Sequence, residues 1–156
     1  MTDDRVLPVD DDPDTGPFFA AARRGELAVQ HCARCDAVLH VPKAYCHLCG
    51  SWDSRWVPVP GRGRLYSWTV VTHQVHPAFP APYTVVLVKV DGCGINLIGS
   101  IPGCPDLRTG QPMEVWFEDV GQDVILPNWR PAAENPVTTT RRGRGPCPRA
   151  RPATRR

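Results

Sequence analysis

The chain has 156 residues, 42% of them apolar and 22% charged, which is room for one domain or two small modules and excludes a large two-domain enzyme. Eighteen prolines and 13 glycines leave little space for long helices. The net charge of +2 hides a split: residues 1–14 carry six Asp against Arg5, residues 141–156 carry seven Arg and no acid, and the chain between is balanced at ten cations and ten anions. No apolar run approaches the roughly 18 residues of a membrane span, and the acidic start has no signal-peptide pattern. The expectation is a cytoplasmic protein without a membrane contact.

In chain order, residues 1–14 have no apolar periodicity and repel one another, so they are expected to form an acidic disordered leader. A short helix is predicted next, over Thr15 to Gly25. Thr15 or Gly16 can cap it, Pro17 suits the first helical position, Phe18, Phe19 and Ala22 give it an apolar face, and Gly25 provides a left-handed exit. Glu26–His31 reads as a strand. From Cys32 to Trp56 the chain is short and turn-rich, without a hydrophobic run able to form its own core, so something else must staple it. Helix and staple together define a first unit over residues 15–58.

The pattern then changes to strands rich in β-branched and aromatic residues: Arg64–Thr72, Tyr83–Val90, Ile95–Ile101, Met113–Val120 and a weaker Val124–Leu126 ending at Pro127. Asp91-Gly-Cys-Gly94 is the hairpin turn between the second and third. Five short, mostly antiparallel strands over residues 59–131 suit a closed barrel of the OB type better than an open sheet with bare edges. The fold class is thus mainly β: a short helix and rubredoxin-like ribbon, then a five-stranded OB-fold barrel. Residues 132–156 read as a disordered Arg/Pro-rich tail.

Four of the seven cysteines form two tight pairs, Cys32-Ala-Arg-Cys35 and Cys46-His-Leu-Cys49, ten residues apart. This C-x2-C…C-x2-C spacing brings four thiolates around one tetrahedral centre, and Zn2+ in a structural role is the preferred occupant over a rubredoxin-type iron or a redox dithiol. Each pair is followed by a residue that tolerates a left-handed backbone, Asp36 and Gly50. Structural zinc contributes about 10–16 kcal/mol, comparable with the roughly 5–15 kcal/mol that holds a whole domain, so the metal can decide whether the ribbon folds. With four thiolates in place, His31, His40 and His47 read as surface or hydrogen-bonding residues. Cys93 and Cys104 are expected to be buried apolar residues of the barrel, and Cys147 a free thiol in the tail.

No catalytic residue is assigned. No nucleophile with a base, paired carboxylates or open metal position can be assembled from the sequence, and no P-loop or Rossmann fingerprint appears. His73 and His76 are candidates for a proton relay, with ordinary loop residues the simpler reading. In the same loop Phe79 and Tyr83, stiffened by Pro77, Pro80 and Pro82, form either a docking surface or a plug at one end of the barrel.

The ribbon Cys32–Cys49, the barrel opening Gly61-Arg-Gly-Arg-Leu-Tyr-Ser-Trp-Thr-Val-Val71, Pro82-Tyr-Thr-Val-Val-Leu-Val88 and Leu107-Arg-Thr-Gly-Gln-Pro-Met-Glu-Val115 together resemble the zinc-ribbon plus OB-fold family, domain of unknown function 35. The likeness runs over about residues 15–131 and leaves out the leader and the tail. It implies a non-catalytic accessory subunit of acyl-CoA metabolism in a hetero-oligomer with a thiolase-fold enzyme of the sterol-carrier type. Such a complex acts as an aldolase (a carbon–carbon lyase) on steroid side-chain CoA thioesters, as a thiolase or as an acyltransferase; some relatives accompany hot-dog-fold hydratases. It implies Cys32, Cys35, Cys46 and Cys49 as zinc ligands and fixes no residue for acyl-CoA. The alternative reading is an OB-fold protein for single-stranded nucleic acid. The balanced charge of residues 15–140 argues against a basic binding track and leaves only the tail arginines to offer non-specific affinity.

Overall fold

The computed structural model describes residues 6–133. The arginine-rich run and Cys147, expected as a free thiol, lie outside the described residues. The order of elements is α1 (Gly16–Arg23), β1 (Leu27–Cys32), β2 (Val38–Leu39), β3 (Ser54–Val59), β4 (Arg62–Val71), β5 (Tyr83–Val90), β6 (Asn96–Pro102), β7 (Pro112–Asp119) and β8 (Ile125–Pro131). They form two antiparallel sheets, β2-β1-β3 and β6-β5-β4-β7-β8.

Helix α1 has Thr15 at its N-cap position and Pro17 in its first turn, as the sequence predicts. The Thr15 hydroxyl does not cap the helix; it donates instead to Asp12, whose carboxylate also accepts the backbone N–H of Asp14 and Thr15. The helix ends in a Schellman turn: Gly25 takes φ 73°, the Gly25 N–H bonds the Ala22 carbonyl, and the Glu26 N–H bonds that of Ala21. Ala21 and Ala22 are its buried residues, while Phe18 and Phe19 are half-buried. In the leader, residues 6–14 hold no helix or strand, yet Asp10 pairs with Arg23, whose Nε also donates to the Asp123 carbonyl at 2.9 Å.

β3 is not among the predicted strands. It pairs with β1 over its whole length, from Leu27 opposite Val59 to Cys32 opposite Ser54. Pro58 masks it in the sequence, because a proline cannot donate to a ladder; β3 lies at the sheet's edge, where that donor is not needed. For the same reason β8 runs through Pro127 to Pro131 instead of stopping at Leu126.

The larger sheet curls so that its two end strands meet, the strand order of an OB-fold barrel. Alternation in β5 sends Thr84, Val86, Val88 and Val90 inward, and a bulge between Leu65 and Ser67 re-phases β4. Closure between β6 and β8 is made by a side chain: Asn128 Oδ1 accepts the Ser100 N–H at 2.9 Å, and its Nδ2 donates to Glu118 Oε2 at 2.6 Å. Gly99 permits the close approach, since a Cβ there would lie 2.7 Å from Trp129 Cδ1 and 3.1 Å from the Trp129 nitrogen.

The barrel core comprises Leu65, Val86, Val88, Val90, Leu107, Met113 and Trp129, joined by Leu27 from the ribbon strand β1 and flanked by Phe18 from the helix. At about 1.5–3 kcal/mol for each large apolar side chain fully buried, this shared core is the main source of cohesion, and it fastens the ribbon to the barrel. Cys93 and Cys104, expected to be buried, are half-buried; Cys93 packs against this core. The ribbon's own cluster is only Cys32, Leu39 and Cys46, with Ala37 and Cys49 against it.

Candidate functional site

The two cysteine pairs sit at matching turns. Cys32 leaves β1, the Asp36 N–H bonds the Cys32 carbonyl at 3.0 Å, and Asp36 takes φ 60°. In the second turn the Gly50 N–H bonds the Cys46 carbonyl at 2.8 Å, and Gly50 takes φ 70°. Both left-handed positions are those the sequence suggests. The sulfurs converge: Cys32 Sγ lies 3.5 Å from Cys49 Sγ, Cys35 Sγ lies 3.6 Å from Cys46 Sγ, and all four lie within 4.8 Å of one another. A zinc tetrahedron with Zn–S near 2.3 Å has edges of about 3.8 Å, so the four sulfurs are gathered close to the spacing that ion requires.

The electrostatics point the same way. The Cys32 thiol is held down to about 6 by the backbone N–H of Cys35 first, with Arg34 N–H and the neighbouring thiols adding to it. Burial opposes ionisation of Cys46, yet the N–H groups of Cys49 and Leu48 leave it lowered. Cys35 moves up to about 12: the Ala37 N–H lowers it, but its three thiol neighbours and burial outweigh that. Four sulfurs this close repel one another once ionised, and a cation at their centre relieves that repulsion. A bound Zn2+ supplies that charge and cross-links the turns, and four ligands leave no open position for substrate.

His31 acts as a hydrogen-bonding residue, its Nδ1 3.1 Å from Asp36 Oδ1, which Arg55 also contacts at 2.7 Å. These partners, His31 first, hold the Asp36 carboxyl below the usual range. Partial burial lowers His40. His47 is exposed, and none of the three histidines belongs to the sulfur cluster.

The loop between β4 and β5 forms the second feature. Phe79, Pro80 and Tyr83, with Ile101 and Pro102 of β6 and Trp116 of β7, line an open cleft of about 480 Å³, and Glu118 and Ser100 are its polar members. Phe79 and Tyr83 border this cleft, and their rings lie 6.5 Å apart. His76 Nδ1 accepts the Ala78 N–H at 3.2 Å, so one ring nitrogen holds the turn, and His73 is exposed. Among the described residues no ion pair involves either histidine.

The third feature was not legible beforehand, because it depends on register. The outward face of β4, β5 and β6 consists of three cross-strand rows, Ser67–Leu87–Ile98, Thr69–Val85–Ser100 and Val71–Tyr83–Pro102. Every member is uncharged; the first cations, Arg64 and Lys89, stand at the far end of the strands. In OB folds this face and its adjoining loops are the usual binding surface. A smaller apolar pocket of about 220 Å³ lies where α1, the ribbon and Leu97 of β6 meet. Among the described residues no helix is long and apolar enough to cross a membrane.

Comparison with known proteins accounts for both modules. Residues 19–53 match the ChsH2 rubredoxin-like zinc ribbon domain, and residues 56–118 match the ChsH2 C-terminal OB-fold domain. A chain of the solved Ltp2-ChsH2(DUF35) aldolase is 33% identical, with a TM-score of 0.74 over 81% of this chain and 100% of that one. A probable enoyl-CoA hydratase alpha subunit from Thermomonospora curvata is 36% identical over 121 residues, which are 76% of this chain; the chain spans only 38% of that protein. A DUF35 protein of unknown function from Sulfolobus solfataricus shares the fold, with 14% identity and a TM-score of 0.50 over 66% of this chain and 77% of its own. With its ribbon, its barrel and a 33% identical relative covered from end to end, the chain belongs to the ChsH2-type zinc-ribbon plus OB-fold family, domain of unknown function 35.

Proposed function

We propose that this protein is the non-catalytic accessory subunit of an acyl-CoA enzyme complex in the cytoplasm, with a thiolase-fold enzyme of the sterol-carrier type carrying the chemistry. A steroid side-chain-degrading aldolase is the preferred reaction. The observation that carries the reading is the end-to-end likeness to a chain of a two-component aldolase, Ltp2-ChsH2(DUF35). Zn2+ on Cys32, Cys35, Cys46 and Cys49 pins the ribbon and takes no part in the reaction.

The chain's own residues support a role in shaping a site rather than reacting in it. The barrel cleft is mainly apolar and stiffened by Pro80 and Pro102, which suits the hydrocarbon part of an acyl thioester, and Phe79, Tyr83 and Trp116 supply flat walls for it. The neutral rows of the barrel face count against the nucleic-acid alternative, since a single-strand groove needs cations along its track.

The test is to purify the chain with the enzyme that co-purifies with it and to assay the pair and each half on CoA thioesters. Turnover is expected from the pair and not from this chain. Turnover by the isolated chain overturns the accessory role.

A further inference from the structure

Four large side chains of the second knuckle serve neither the sulfur cluster nor the core. Val41, Tyr45, Leu48 and Trp52 are 67%, 51%, 69% and 74% exposed, and the Tyr45 and Trp52 rings lie 5.6 Å apart. The backbone under them is fixed by the turn from Cys46 to Ser51, with the Cys46 N–H on the Ser51 carbonyl at 2.8 Å, and Leu48 lies between two sulfur ligands. A surface so fixed loses little entropy on contact. Exposed Lys43 lies between Val41 and Tyr45 in the chain, and exposed Arg34 follows Ala33, whose N–H bonds the carbonyl of Asp53, itself exposed and next to Trp52, at 2.9 Å; neither cation has a side-chain partner among the described residues.

We infer that this knuckle patch is the anchor by which the ribbon docks onto its partner enzyme, in an apolar hollow rimmed by carboxylates. The inference rests on the accessory-subunit reading and names the surface that reading requires. Two aromatics of about 150–250 Å² each and two aliphatic side chains fall short of the roughly 800 Å² per partner of a specific interface. The contact therefore extends onto Arg34 and Lys43, and their free charges call for acids opposite. A second copy of this chain is the competing occupant, since exposed Asp53 next to Trp52 offers it an acid, and self-association is the outcome that assigns the patch to it.

The test uses the full-length zinc-loaded chain and the enzyme that co-purifies with it, with affinity read by interferometry and zinc content and melting temperature read in parallel. Trp52→Ala is expected to weaken binding tenfold or more, Leu48→Asp to abolish it, and Lys43→Glu to weaken it with a shallower salt dependence. All three should keep one zinc per chain, and Tyr66→Ala, at an exposed tyrosine of the barrel, should bind as the parent does. Parent-like binding by Trp52→Ala and Leu48→Asp, or equal weakening by Tyr66→Ala, overturns the anchor and leaves the accessory role standing. Failure of the parent chain to bind any catalytic partner overturns both. Self-association, or binding of a single-stranded oligonucleotide, that Trp52→Ala removes assigns the patch to another occupant and overturns it as well.

Discussion

At the scale of single residues, the ribbon turns and the barrel seam respond to different physics. Gly50 has open space where a Cβ would sit, so Gly50→Ala costs only the left-handed backbone, about 1–2 kcal/mol, and is expected to lower the melting temperature without abolishing zinc binding. Cys46→Ser removes a ligand from a buried position, and stoichiometric zinc is expected to be lost when metal content is measured. At the seam, Asn128→Ala strips the Ser100 N–H and Glu118 of their shared partner. A fully buried donor left unsatisfied costs about 1–3 kcal/mol; the Ser100 bond is part-buried, so the loss is expected at the low end of that range, read as a shift of the denaturant midpoint with an unchanged slope.

At the scale of elements, the start of α1 carries a pH signature. Asp12 is lowered from its usual 3.8, first by the Thr15 hydroxyl and then by the Thr15 N–H. A depressed acid contributes stability that is fully present above its unfolded pKa and disappears as pH falls through the folded value, here a window below about pH 4. Thr15→Val is expected to raise the Asp12 pKa toward 3.8, visible in the carboxyl chemical shift during an acid titration; an unmoved value would count against the Thr15 contact. This helix was readable from Pro17, Gly25 and its apolar face, and so was β5, whose Tyr83–Val90 limits follow from a run rich in β-branched residues. The sulfur cluster was readable because its geometry depends on spacing within two short turns. β3 and the end of β8 were not, since Pro58 and Pro127 break the local strand pattern and only an edge position excuses them. The cleft and the neutral barrel face were hidden for a related reason: they join residues of β5, β6 and β7 that become neighbours only once the barrel has closed.

At the scale of the whole molecule, the ribbon and the barrel are two modules by sequence but share one core. Leu27 of β1 lies among the barrel residues, and Phe18 of α1 packs against them as well as toward Trp56 of β3. The ribbon cannot hold its own shape on Cys32, Leu39 and Cys46, so its order depends on the metal, and the position of β1 depends on that order. Chelating the zinc should therefore do two things at once. Hydrogen exchange should lose protection first in β1, β2 and β3, where the stapling charge is gone. The barrel strands β4 to β8 should stay protected but melt at a lower temperature, because withdrawing Leu27 and Phe18 from the shared core opens a gap in it, and such gaps cost about 2–5 kcal/mol per large side chain lost. A barrel whose melting is indifferent to zinc would mean that the two modules are merely tethered, and the metal could then not influence the cleft through the core.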